Sequence, residues 1–153
     1  MNEIKFRAYD EEHKLMVYSD NQPDGYEWEI NEHHGVICMY YDYIDDDFGG
    51  NVCYGEHLPI MQYTGIKDKN GKEIYEGDIL VYKFKSYFSG SNQVAYYIVK
   101  YEDGMFCIYV EEFNDNNQKE WVQEDRLCES LIKIDKLEVI GNIYENPELL
   151  EEI

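Results

Sequence analysis

The chain has 153 residues, 44% of them hydrophobic and 16% aromatic, with sixteen Tyr and a formal net charge of −20. That length suits one domain with a core of its own, or at most a domain divided into sub-lobes. The charge argues against direct contact with nucleic acid or an anionic membrane, because phosphate recognition needs clustered Lys and Arg. Only Lys67, Lys69 and Lys72 approach a cluster, and Asp68 and Glu73 sit among them.

Residues 4–9, Ile-Lys-Phe-Arg-Ala-Tyr, alternate apolar and charged side chains, as a strand with one buried face does. Asp10–His13 reads as a turn and Lys14–Tyr18 as a second strand, giving an opening hairpin. Residues 20–35 are polar, contain Pro23, Gly25 and Gly35, and are expected to be mostly loop. Val36–Ile44 is β-rich until the acidic run Asp45–Asp47 and Gly49–Gly50 interrupt it. Ile60–Tyr63 leads to Lys67–Glu73, where Asn70-Gly71 predicts a hairpin with positive φ at both turn positions. A glycine bend at Gly77 precedes a strand ending near Tyr82. Gln93–Tyr101 and Met105–Phe113 flank the turn Glu102-Asp103-Gly104; Glu120–Val122 and Leu137–Tyr144 add strands, and residues 125–134 are ambiguous. At the end, Asn146-Pro147-Glu148 predicts a short helix over 147–152, with Asn146 as cap and acids near its N-terminus.

Short strands with tight turns from Tyr63 to Tyr144 suit a small SH3-like barrel, and Gly77 and Gly141 fit its curvature. The expected class is therefore mainly β. It comprises an N-terminal hairpin lobe (1–60), a barrel (61–146) and a terminal helix.

Cys38, Cys53, Cys107 and Cys128 form no Cys-x-x-Cys pair and are expected to be buried, reduced thiols. No apolar run is long enough to span a bilayer, and Met1–Tyr9 has no signal-peptide core, so a cytoplasmic location is expected.

Three stretches resemble the YopX-like proteins of bacteriophages and prophages. They are Ile4–Asp10 followed by Met16, Met61–Leu80, and Glu138–Leu150, in that order. The resemblance implies a phage or prophage origin, a mainly β fold and self-association. It brings no activity and no catalytic residue. Residues 19–58 and 112–130 look particular to this chain.

Two metal candidates stand beside that reading. Asp45, Asp47, Gly50 and Glu56 match the first, third, sixth and twelfth positions of a calcium loop, with Val52 at the apolar position. The fifth position is Gly49, and the flanks lack the two helices the motif requires, so an acidic surface loop is the simpler reading. His34-x-x-x-Cys38 is mirrored by Cys53-x-x-x-His57, a donor set able to close around zinc if the strands converge. Its spacing differs from finger knuckles, and Cys38 lies in an apolar run.

Neither a nucleophile elbow nor a phosphate-cradling glycine loop is present in the sequence. Tyr96, Tyr97, Tyr101 and Tyr109 would suit a stacking platform, but against this charge an interface or core role fits better. The sequence thus points to a non-enzyme without cofactor, working through contacts with itself or with a basic host protein. A DNA-mimic inhibitor is the alternative, and a metal-dependent hydrolase a distant third.

Overall fold

The computed structural model describes residues 3–23, 26–31, 35–45, 50–56, 58–113, 119–126 and 136–152. It divides into two compact units, Glu3–Gln62 and Tyr63–Ile153.

In the first unit, β1 (Phe6–Asp10) pairs antiparallel with β2 (Leu15–Tyr18) and with Ile60–Gln62, the start of β6 (Ile60–Lys67). Lys14, at φ 54°, closes the β1–β2 turn. Ala8, Val17 and Tyr26 are buried together, with Leu15, Trp28 and Leu58 packed against them. A separate meander joins β3 (Tyr26–Asn31), β4 (Gly35–Asp45) and β5 (Gly50–Glu56). The loop expected over 20–35 is thus corrected at 26–31. Tyr26-Glu-Trp-Glu-Ile30 alternates with period two, a strand signal that the neighbouring Pro23 and Gly residues obscured.

In the second unit, Tyr63 and Lys67 of β6 pair with β7 (Glu73–Tyr75). Five strands follow in the spatial order β11-β10-β9-β8-β12. They are β8 (Asp78–Lys85), β9 (Asn92–Glu102), β10 (Met105–Phe113), β11 (Lys119–Arg126) and β12 (Leu137–Asn142). This sheet curls into a half-barrel, so the mainly β class with a barrel-like second part holds. Ile140 is the extra residue of a bulge that shifts the β12–β8 register between Val139 and Gly141. Such a bulge sharpens local twist and bends the strand.

Side chains pack on both faces of the sheet. Ile74, Leu80, Tyr97, Val99, Ile108, Leu137 and Val139 fill one face, following the period-two alternation of their strands. Each buried Leu or Ile there contributes about 1.5–3 kcal/mol relative to exposure. Ile98, Cys107 and Tyr109 point to the other, where Met105, Trp121, Ile143 and Leu150 pack on them. Cys107 is buried, as expected of it, and its Sγ accepts from Gln123 Nε2 at 3.3 Å.

Turn chemistry departs from expectation at two places. At Asn70-Gly71 only Gly71 has positive φ (84°). The Gly71 N–H donates to the Asp68 carbonyl, and the Asp68 N–H to the Lys72 carbonyl, which makes a type I turn closed by a glycine bulge. Two successive positive φ values occur instead at Asp103 (50°) and Gly104 (79°), between the paired residues Glu102 and Met105. The terminal helix, α1 (Leu149–Glu152), is one turn long. Asn146 does not cap it with its side chain: its Oδ1 accepts the Asn142 N–H at 3.3 Å. Asn142 Oδ1 instead accepts the N–H groups of Tyr144 (3.0 Å) and Glu145 (2.9 Å), organising the turn that precedes the helix.

Candidate interaction surface

The buried carboxylates are the first places to look for chemistry, because a desolvated charge must be held by partners. Asp68 is 6% exposed. Its Oδ1 accepts the N–H groups of Asn70 (2.7 Å) and Lys72 (2.9 Å), and its Oδ2 accepts that of Val139 (3.0 Å). Burial alone would raise its pKa, but the three backbone donors outweigh burial and hold the carboxyl below its ordinary range. Asp78 is fully buried, and its Oδ2 accepts the Tyr75 N–H at 2.8 Å. Asp10 accepts the His13 N–H (2.9 Å) and the Tyr26 hydroxyl (2.8 Å), and its Oδ2 lies 2.8 Å from His13 Nδ1. Here too burial pushes up, and these bonds pull the pKa down further.

The Asp10–His13 contact orients an imidazole, which is half of what an acid–base dyad needs. The bonds from His13 and Tyr26 to Asp10 hold the opening hairpin in shape. Among the described residues, no group of three or more His, Cys, Asp or Glu is placed to hold a metal ion.

Of the calcium candidates, Asp45 pairs with Gly50 and Glu56 with Cys38, so the register puts Asp45 and Glu56 at opposite ends of the β4–β5 hairpin. Strands, not helices, flank the segment. Of the zinc candidates, Cys38 lies on β4 and Cys53 on β5, three residues before Cys38's partner Glu56. Asp47, His34 and His57, like Cys128, lie outside the described residues.

The tyrosines do not form one platform. Tyr97 (3% exposed) is in the core of one sheet face and Tyr109 (9%) in that of the other, while Tyr101 (45%) is at the surface against Phe106. Around Tyr109 a polar–aromatic cluster forms. Its hydroxyl donates to Glu102, and Lys100 Nζ sits 4.2 Å above its ring. The Glu102 bond, then burial, push the Tyr109 pKa up to about 12.

Beside this cluster the C-terminal segment covers the sheet incompletely and leaves a cleft of about 390 Å³. Ile98, Trp121, Ile143 and Leu150 give it an apolar lining, and Glu76, Lys100 and Glu102 stand at its polar margin. The volume lies at the lower end of ligand and side-chain pockets, about 300–1,000 Å³. An apolar floor, aromatic walls and a charged rim are the anatomy of an anchoring site for a partner's side chains.

The YopX protein family matches residues 5–151, nearly the whole chain. The chain belongs to the YopX family. No curated protein matches it. Among solved structures, the crystal structure of protein EF1440 from Enterococcus faecalis is similar, with 30% identity and a TM-score of 0.55. That similarity spans 98% of this chain and 99% of the other.

In this YopX chain four polar residues of the three resembling stretches build turns. Asp10, Asp68, Asp78 and Asn142 each take backbone N–H groups at a chain reversal. What sequence reasoning missed is a lysine-bearing, acid-free stretch. Residues 79–101 contain Lys83, Lys85 and Lys100 and no Asp or Glu, while the rest of the chain carries all thirty-three acids. A count of acids along the chain would have found it. Among the described residues, no helix is long and apolar enough to cross a membrane.

Proposed function

We propose that this YopX protein is a non-enzymatic phage or prophage accessory protein that acts in the bacterial cytoplasm through protein–protein contacts and assembles with itself. The observation that carries the reading is the aromatic-lined cleft of the second unit, whose chemistry suits side-chain anchoring. The buried carboxylates support it from the other side, since they are engaged by backbone donors and hydroxyls of the fold. Like-charged copies at −20 repel, so an assembly must bury apolar and aromatic surface and keep most acids outside the contact.

Sedimentation velocity over a concentration series tests this. A mass above the monomer that increases with ionic strength supports the reading, because salt screens the repulsion. A monomer throughout, with tight and salt-sensitive binding to a basic host protein, replaces it with a DNA-mimic role.

A further inference from the structure

The β8–β9 hairpin continues beyond the sheet that it belongs to. The pairing of β8 with β12 ends at Tyr82, and that of β9 with β10 at Tyr97, whereas β8 and β9 stay paired out to Lys85 and Asn92. Among the described residues, Lys83–Lys85 and Asn92–Val94 therefore have ladder partners on one side only. They form a two-stranded arm.

Residues 83–94 are all exposed except half-buried Ser86. At the tip, Tyr87 is 96% and Phe88 98% exposed, their rings edge to face at 5.8 Å. Phe84 (39%) and Val94 (48%) extend the apolar surface along the arm. A two-stranded ribbon gains little stability from packing, so aromatics held out in water at its tip are a cost that a contact would repay.

We infer that this arm docks on a second copy of the chain, with Tyr87 and Phe88 entering the cleft lined by Ile98, Trp121, Ile143 and Leu150. The inference rests on the self-assembly reading above and names the surfaces that would carry it. Charge selects the occupant. The arm lies in the acid-free run and bears Lys83 and Lys85. Glu76 and Glu102, with Lys100, rim the cleft, and Glu145, Glu148 and Glu151 belong to the segment that walls it, so carboxylates outnumber lysine there. This pairing sets the two arm lysines against a mostly acidic cleft margin, an attraction in a chain whose net charge of −20 otherwise opposes self-contact.

The arm cannot fill the cleft of its own chain. Asn92, on the arm, and Ile98, in the cleft, are on the same strand six residues apart, about 20 Å at 3.3 Å per residue. A single-stranded nucleic acid is the other occupant to which lysine and aromatics appeal. Two arm lysines set against a net charge of −20 argue for the protein.

The test is sedimentation equilibrium of the full chain as wild type, Y87A/F88A, K83E/K85E, W121A, and W121A combined with Y87A/F88A. The arm changes are on exposed side chains and leave the unfolding midpoint unchanged. Y87A/F88A is expected to weaken self-association about tenfold or more. K83E/K85E is expected to weaken it more at low than at high ionic strength. W121A is expected to be non-additive with the arm change, the mark of a direct contact. Wild-type association retained in Y87A/F88A, or full additivity with W121A, overturns the docking inference and leaves self-assembly standing. A wild type that stays monomeric overturns the self-assembly reading itself. Arm-dependent binding of single-stranded DNA by a monomer reassigns the arm to nucleic acid and also overturns the inference.

Discussion

Asp68 and Val139 are 71 residues apart in sequence, yet the aspartate's Oδ2 accepts the valine's N–H at 3.0 Å while its Oδ1 holds the turn from which it comes. The Lys69 N–H donates to the Leu137 carbonyl at 3.0 Å beside it, and Lys69 Nζ meets Glu138 at 2.5 Å. One carboxylate thus joins the β6–β7 hairpin to β12.

Removing that carboxylate leaves the Val139 N–H, on a buried residue, without its acceptor. Asp68→Ala is expected to cost about 2–4 kcal/mol, the range for losing charge-assisted bonds and stranding a buried donor. Urea denaturation checks it through the midpoint at an unchanged slope.

Asp10 and Asp68 both have folded pKa values below their ordinary ones. A depressed carboxyl contributes stability above its unfolded pKa, about 3.9, and that contribution is lost as pH falls through the folded value. Stability is expected to fall below about pH 4, more shallowly in Asp68→Asn than in the wild type. Midpoints measured across an acid series show it.

Tyr109 behaves oppositely. Its folded pKa is raised to about 12, by the Glu102 bond first and burial second. Its contribution is complete below the unfolded value of about 10 and is lost as pH rises from there to about 12. Tyr109→Phe is expected to remove one late-ionising phenol from the ultraviolet titration and to flatten this alkaline limb.

Gly141 has no positive φ, and its constraint is space. A Cβ there would lie 2.5 Å from Asn146 Oδ1 and 2.9 Å from Leu149 Cδ1. Gly141→Ala must push the terminal turn away, at about 1–3 kcal/mol. Displacing Leu150 with it would open the cleft. The measurement is a thermal midpoint together with Trp121 fluorescence.

Much of the architecture was legible because local chemistry agreed with tertiary need. Period-two alternation marked β1, the turn Glu102-Asp103-Gly104 marked β9 and β10 on either side of it, and Asn146-Pro147 marked the final helix. What escaped was set by distant contacts. Asn70-Gly71 promised one turn type, but Asp68 holds Asn70 and Lys72 in another. Asn146 reads as a cap, yet its side chain turns back to Asn142. The cleft was not legible at all, since Ile98, Trp121 and Leu150 are brought together only by packing. The arm was half legible: its acid-free composition stands in the sequence, but the ends of its neighbours' pairing do not.

The register of the β4–β5 hairpin carries a simpler expectation. With Asp45 opposite Gly50 and Glu56 opposite Cys38, calcium is not expected to raise the melting temperature. Thermal unfolding with and without added calcium checks it.

Assembly through apolar and aromatic surface against a charge of −20 is read from the molar mass in solution at low and high ionic strength. Light scattering across a concentration series is expected to give a mass above that of the 18.3 kDa chain, rising with salt at fixed concentration. A mass of one chain at every concentration and both ionic strengths would contradict it.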